Sequence, residues 1–342
     1  MSRGIDFLLG LPALRDGPLW RTAISLGAPV LISANALSRW RRDRLDLRCW
    51  RDFDRRPLAL VATHPVWLDS AGFVASAAYR GFPWGVDDYL DLCASAPWRG
   101  CFSMDLCTEP EIAHDREAVL DRISGTVRLN MLCRNGAERR GILDRLCPVL
   151  QGWRPDDYLR CLDRMTFALD HPLIGVGSMC RRHVGGETGI LRVVDALDRA
   201  LGSCPSRLHL FGLKGQGMAA VRGHPRIASV DSQAWGVTAR QQAHRERRSK
   251  TDFYLAAAMQ DWYQRQIRQL QAPGFAFNPP AADAEIEPHA SLGAIEARIA
   301  DAAEQLRRLH ETGELDWSDV SPLAAYELAF VDDEDDAVDV AA

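Results

Sequence analysis

The sequence contains no CxxC pair, and its nine cysteines, scattered from Cys49 to Cys204, follow no short periodic spacing. That excludes a disulfide framework of the small secreted kind and reads as reduced thiols in a cytoplasm. No stretch is long and apolar enough to span a bilayer; the run Phe7-Leu8-Leu9-Gly10-Leu11-Pro12 is too short for a signal h-region and is broken by glycine and proline. The expectation is a soluble, cytoplasmic protein with no membrane partner. An excess of one charge sign is also missing. With a formal net charge of -5 and a pI near 6.0, any contact with nucleic acid has to come from a local basic patch. No solenoid-type repeat is present.

What is there is an ordinary globular composition, 47% hydrophobic and 25% charged over 342 residues, enough for one α/β barrel or two smaller domains. Apolar β-type runs recur at 29–33, 66–69, 101–105, 147–151, 173–177, 208–212 and 227–231. None alternates cleanly, which suits strands covered on both faces. Amphipathic helix patterns lie between several of them, as at Ile112 to Ile123 and Ile190 to Leu201. This alternation predicts a (β/α)8 barrel, preferred over a doubly wound sheet because polar residues sit at the C-terminal ends of at least five runs. For the eighth strand, Phe7 to Leu11 and Phe275 to Phe277 are both candidates. A helix is expected over Tyr254 to Leu270, then a Pro/Ala-rich linker over Ala272 to Ala282 and a further helix from about Leu292 to His310. The acidic run 331–336 reads as a solvated, disordered tail. The domain reading is a barrel over 1–280 and a helical extension with the acidic tail over 281–342.

Two segments far apart in the chain, Trp67-Leu68-Asp69-Ser70-Ala71-Gly72-Phe73 and Ile227 to Trp235, each run apolar residues into Asp-Ser and a turn. Each Asp is either a cap for the following turn or an ionisable group delivered to the open end of a strand. Asp105, in Met104-Asp105-Leu106-Cys107-Thr108-Glu109-Pro110, either caps the next helix or accepts paired N–H donors from an amino-bearing ring such as a purine. Cys107 is either a small buried hydrophobe or part of the same site. Gln151, which ends the run 147–151, can donate and accept, and Gly152 after it allows close approach of backbone. In Ile174-Gly175-Val176-Gly177-Ser178-Met179-Cys180-Arg181-Arg182, two glycines at a strand end permit backbone hydrogen bonds to a flat ring, and the arginine pair suits a phosphate. Leu208 to Gly215 lacks the GxxxxGK[ST] spacing of a phosphate loop. His209, inside a run, reads as a core histidine. The basic residues Arg240, His244, Arg245, Arg247, Arg248 and Lys250 form either a solvated helix face or a grip on a nucleic-acid backbone.

Taken in order, Asp69-Ser70-Ala71-Gly72-Phe73, Asp105-Leu106-Cys107-Thr108, Leu150-Gln151-Gly152, Gly175-Val176-Gly177 and Val230-Asp231-Ser232 resemble the strand-end motifs of the tRNA-guanine transglycosylase superfamily. The variants Val149 to Trp153, Gly175 to Arg182, Leu208 to Gly212 and Asp231 to Trp235 are more similar to its DNA-acting branch, the deazapurine DNA modification (DpdA-like) transglycosylases. The resemblance runs from about Pro29 to about Arg248. It implies a TIM barrel and exchange of guanine in DNA for a 7-deazaguanine such as 7-cyano-7-deazaguanine. It also implies Asp231 as nucleophile, Asp69 as acid/base residue, and Asp105, Cys107, Gln151, Gly152, Gly175, Val176 and Gly177 around the base. Arg181, Arg182, Arg240, Arg245, Arg247 and Arg248 would then face nucleic acid, with Trp67, Trp153 or Trp235 beside a flipped base.

The tRNA-acting members carry a zinc site of three Cys and one His after the nucleophile strand. No cysteine follows Cys204 here, so no such site is expected, and the expected cofactor set is empty, with the deazapurine entering as substrate. Ala71 stands where the family usually has Gly. The alternatives are a tRNA or other RNA guanine transglycosylase, which the missing zinc ligands disfavour, and a non-catalytic nucleic-acid-binding barrel, which retention of both Asp69 and Asp231 disfavours. Helper proteins of a DNA-modification system, such as an ATPase opening the duplex, and a homo-oligomer are compatible with this reading.

Overall fold

The computed structural model describes residues 4–42, 48–213, 215–273, 277–278 and 304. In chain order the strands are β1 (Asp6–Leu11), β2 (Val30–Ser33), β3 (Ser38–Arg42), β4 (Arg48–Phe53), β5 (Val66–Asp69), β6 (Gly100–Phe102), β7 (Leu146–Cys147), β8 (Val149–Leu150), β9 (Leu173–Val176), β10 (Arg207–Leu210) and β11 (Ile227–Ser232). The helices are α1 (Pro18–Ser25), α2 (Gly72–Tyr79), α3 (Val86–Ala94), α4 (Pro110–Ala113), α5 (Arg116–Arg140), α6 (Pro155–Asp163), α7 (Ile190–Leu201), α8 (Gly215–Val221), α9 (Trp235–Arg245) and α10 (Asp252–Gln271).

Nine strands form one sheet in the order β7-β6-β5-β2-β1-β11-β10-β9-β8, and every pairing in it is parallel. Its two end strands, β7 and β8, are consecutive in the chain and separated only by Pro148, so the sheet nearly closes into a barrel. The run expected as one strand over 147–151 is therefore split. Proline has no N–H to give to a ladder, and at Pro148 the pairing passes from β6 to β9, the proline carbonyl accepting from Gly175 N at 2.8 Å. The missing eighth stave is β1, hydrogen-bonded to both β11 and β2. Of the competing segment, Phe275 and Ala276 lie outside the described residues, and the Phe277 ring packs against His224 at 4.3 Å.

Short apolar runs become strands here because both faces are covered. Leu9, Val30, Ile32 and Leu68 join the main core toward the helices, whereas Leu8, Leu31, Phe102 and Val149 fill a smaller cluster inside the barrel. Helix α7 matches its sequence pattern at both ends, and α10 adds two residues at its start and one at its end. The helix expected over 112–123 is instead two. Asp115 accepts from Ala118 N at 3.1 Å and starts a new helix, α5, which runs 25 residues to Gly141 in the left-handed region at φ 64°. An antiparallel hairpin, β3–β4, which the sequence reading did not anticipate, is inserted between β2 and β5. Most of the linker, the helix of 292–310 apart from Glu304, the acidic tail and the domain boundary at 280 lie outside the described residues.

Candidate active site

Because the barrel strands all point the same way, their C-terminal ends gather at one mouth. Asp69 closes β5, Asp231 lies next to last in β11, Asp105 follows β6, Gln151 follows β8 and Gly177 follows β9. Five strand ends thus deliver the residues singled out in the sequence.

Asp105 and Gln151 form the centre of one network. Gln151 Nε2 donates to Asp105 Oδ2 at 2.5 Å, Ser70 Oγ donates to Asp105 Oδ1 at 3.1 Å, and Ser178 Oγ donates to Gln151 Oε1 at 2.7 Å. Thr108 N in turn donates to Ser178 Oγ at 2.9 Å. Asn130 of α5 fixes β8 just before Gln151, accepting from Val149 N at 2.9 Å. Two glycines make room for this cluster. A Cβ on Gly72 would stand 2.7 Å from Asp105 Oδ1, and one on Gly177 would stand 2.0 Å from Gln151 Nε2. Ser178 is held at φ 56° and Ala71 at φ 70°, left-handed backbone that costs a non-glycine residue about 1–2 kcal/mol.

Three acids in this region are held partly neutral. Burial pushes the Asp69 carboxyl up to about 7, assisted by the negative charges of Asp105 and Asp231, against hydrogen bonds from the Ala71 and Ser70 backbone. Burial raises Asp105 to about 6, against the bonds from Gln151 and Ser70. It raises Glu109 to about 7, with Arg181 opposing. Asp69 and Asp231 stand at the same end of strands separated in the barrel by β2 and β1, and the charge of Asp231 adds to the upward shift of Asp69.

Asp231 has different company. Gly212 N donates to its Oδ1 at 2.9 Å, and His209 Nε2 lies 3.2 Å from the same oxygen. His209 is fully buried, as a core histidine should be, with Nδ1 on Ser229 Oγ at 2.8 Å. It nonetheless touches the candidate nucleophile. Its ring stacks on Phe102 at 4.7 Å, Phe211 meets both edge-on, and Trp67 stacks on Phe102 at 5.7 Å, so aromatic rings fill the barrel below the carboxylates.

Several expected site residues have other work. The N–H groups of Gly175 and Gly177 bond to Pro148 O and Leu150 O inside the sheet, so they are not aimed at a ring. Gly175 instead leaves room for Phe211, since a Cβ there would stand 2.8 Å from its Cε2. Val176 is a core residue. The close approach at Gly152 is to α6, where a Cβ would stand 2.8 Å from Tyr158 N. Cys107 is buried against Ser76, and burial pushes its thiol up to about 12.

Arg182 is a correction. Its guanidinium has five N–H donors, and all are committed: to Ser178 O at 3.1 Å, Trp153 O at 2.5 Å, Thr188 O, Gly152 O at 3.1 Å and Tyr158 Oη at 3.0 Å. It also lies 4.4 Å over the Trp153 ring. This side chain fastens the loops after β8 and β9 and has no donor left for phosphate. Arg181 is likewise ion-paired, to Glu111 at 2.5 Å with Glu109 at 3.9 Å. Of the candidate tryptophans, Trp235 is buried with Nε1 on Gly10 O at 2.9 Å and belongs to the core. Arg240 is half-buried, while Arg245, Arg247 and Arg248 are exposed on or just after α9. Their segment starts from the end of β11 and leads to Asp252, which pairs with Arg15 of the β1–α1 loop at 2.8 Å. Both ends of it therefore lie on the mouth side. Ser70, Ser178, Glu109, Phe102 and Phe211 were not selected from sequence. Ser70 and Ser178 carried a signal in their adjacency to Asp69 and Gly177, but the rings carried none.

The fold is a parallel α/β barrel with carboxylates gathered at its strand ends, the face on which barrel enzymes build their active sites. The family follows from the sequence match. The model of the DpdA family, deoxypurine in DNA protein A, matches residues 18–271, and the chain belongs to that family. Membership makes it a transglycosylase-type enzyme of DNA deazapurine modification. No curated protein matches the sequence. Among the described residues, no helix is long and apolar enough to cross a membrane.

Proposed function

We propose that this chain exchanges guanine in DNA for a 7-deazaguanine base, such as 7-cyano-7-deazaguanine, through a covalent ester on Asp231. The observation that carries the reading is the pair Asp69 and Asp231 across one mouth, with Asp69 held near neutrality by its surroundings.

In the first half-reaction an Asp231 carboxylate oxygen attacks C1′, the C1′–N bond to guanine breaks, and its electron pair leaves with the base. Asp69 gives that base a proton. The oxocarbenium character at C1′ is stabilised by the adjacent carboxylate. In the second half the incoming deazapurine gives its ring N–H proton to Asp69, its nitrogen attacks C1′, and the ester C–O bond breaks to free Asp231. Two inversions keep the original anomer. A group near pH 7 can fill both roles, because it is readily protonated for one step and deprotonated for the other.

Asp105 keeps accepting capacity beyond its bonds to Ser70 and Gln151, since a carboxylate has about four lone-pair sites. It is suited to the N–H edge of a guanine-like ring, with Gln151 alongside. The Gly212 N–H holds one oxygen of Asp231, with the His209 ring 3.2 Å from that oxygen, and the other oxygen is the one assigned to attack. Because these groups lie within a barrel mouth, the target nucleotide has to leave the stack to reach them.

The test is to incubate purified protein with guanine-containing DNA, RNA of the same sequence, and candidate deazapurines, and then to analyse nucleosides. Deazaguanine deoxynucleoside formed from the DNA is expected. Incorporation into the RNA alone would return the protein to the tRNA-acting alternative, and incorporation into neither would overturn the reading.

A further inference from the structure

A strongly basic feature among the described residues outside the strand-end acids is the hairpin β3–β4. Residues 38–56 carry eight arginines against four aspartates, in a chain whose net charge is -5 and whose only lysines are Lys214 and Lys250. None of these arginines was selected as a site residue from sequence.

The hairpin's place follows from the topology. Strand β2 pairs with β5 so that Ser33 stands opposite Asp69, and the chain leaves β2 at Ser33 to build the hairpin. It therefore rises from the rim that carries the acid/base candidate. Tyr79, at the end of the helix that follows Asp69, confirms the neighbourhood: its Oη donates to Asn35 Oδ1 at 2.9 Å and its ring lies 4.8 Å from Trp40.

The arm is also fixed in position. Trp50 and Phe53 of β4 both meet Trp84, at 6.0 and 5.1 Å between ring centres. Trp50 packs against the main core, and Asp54 N donates to Leu37 O at 2.6 Å across the hairpin's base. Arg39 forks onto Asp52 at 2.6 and 2.9 Å, and Arg56 pairs with Asp54 at 2.7 Å. These pairs use both aspartates of β4 and its exit. Arg41, Arg42, Arg51 and Arg55 are exposed, with Arg51 3.6 Å from the same Asp52 carboxylate that Arg39 forks onto.

We infer that the β3–β4 hairpin is a DNA-binding arm that holds the phosphate backbone beside the extruded nucleotide. Guanidinium groups on an anchored scaffold suit this because each forks onto phosphate oxygens and loses little freedom on binding. A second basic flank, Arg245, Arg247 and Arg248, lies after β11, and β1 separates β11 from β2 in the barrel. A strand gripped at both flanks crosses the mouth between them. This inference rests on the DNA reading of the site.

The test combines Arg41→Ala, Arg51→Ala and Arg55→Ala in the full chain. Binding of a 20-base-pair guanine-containing duplex, its single strand and the matching RNA is measured from 50 to 200 mM salt, with the free deazapurine as a control. The expected result is at least roughly tenfold weaker DNA binding and a salt slope reduced by about 2 to 3, since each lost phosphate contact removes about 0.9. The KM for free deazapurine should stay unchanged, and the three Arg→Lys changes should restore the slope. Wild-type DNA affinity and slope in the Ala variant would overturn the inference, as would an effect confined to RNA. Were DNA binding to depend on the hairpin while no exchange occurred, the arm would stand and the base-exchange reading would fall.

Discussion

Asp69-Ser70 and Asp231-Ser232 are the same dipeptide at the same end of two parallel strands, and the fold gives them opposite neighbours. Asp69 feels two other carboxylates and is raised to about 7, while Asp231 accepts from the Gly212 N–H at 2.9 Å and has the His209 ring 3.2 Å away. The serines diverge too. Ser70 donates to Asp105 in the network around Gln151, whereas Ser232 Oγ accepts from Ala234 N within its own turn. The difference teaches that the role of a strand-end carboxylate is set by the strands beside it. One environment raises the affinity for a proton, as the proposed acid/base role needs, and the other holds one oxygen in place, as the proposed nucleophile needs.

The comparison breaks most sharply at Asp231. Replacing it by Ala should lower exchange by about 10⁴-fold or more and remove any trapped covalent adduct, while circular dichroism stays that of the native fold. Exchange at the wild-type rate would move the nucleophile elsewhere.

Asp69→Asn should lower turnover by about 10²- to 10⁴-fold with base binding retained. Its pH signature separates the two carboxylates. Formation of the covalent adduct needs protonated Asp69, so in the wild type its rate should fall as pH rises through about 7. That alkaline limb should be missing from the residual activity of the Asn variant. A limb that persists there belongs to another acid, with Glu109, also raised to about 7, the first to examine.

A smaller effect is expected at His209. If its ring, 3.2 Å from Asp231, positions that carboxylate, His209→Ala should cost about tenfold in turnover with little change in KM for the base, and His209→Gln should recover part of the loss. Equal loss in the Ala and Gln variants, matched by lower melting temperatures, would leave the ring with packing alone.

The smallest effect is thermodynamic. Asp69 binds its proton more tightly folded, at about 7, than unfolded, at about 4. The stability this contributes is fully present below about pH 4 and is lost as pH rises to about 7. Asn has no such loss. The melting temperature of Asp69→Asn relative to wild type should therefore rise between pH 4 and pH 8, by at least about 2 °C. A constant difference would mean that Asp69 is not held neutral by its site.

Much of the architecture was legible because apolar runs and amphipathic periods report burial directly. The strand at 66–69 and the helix over 190–201 match at both ends. The eighth stave was ambiguous since Phe7 to Leu11 and Phe275 to Phe277 have similar composition, and only lateral pairing with β2 and β11 distinguishes the first. The split at Pro148 was hidden inside an unbroken apolar run. Arginine was the hardest residue to read. Arg181-Arg182 looked like a phosphate clamp, but Arg182 is a structural tie and Arg181 is ion-paired to Glu111, while the arginines of β3–β4, spread among apolar and acidic residues, formed no compact run.

By itself the sequence determined the family, the barrel and the identity of the acids at the strand ends, because these depend on local pattern and on residues that cannot be exchanged without changing the chemistry. The tertiary structure alone decided which acid meets carboxylates and which meets donors, which glycines make room for side chains, and which arginines are already consumed. Those properties arise from contacts between strands that are neighbours in the barrel but far apart in the chain. Charge and hydrogen bonding act through distance in space, and only closure of the sheet fixes that distance.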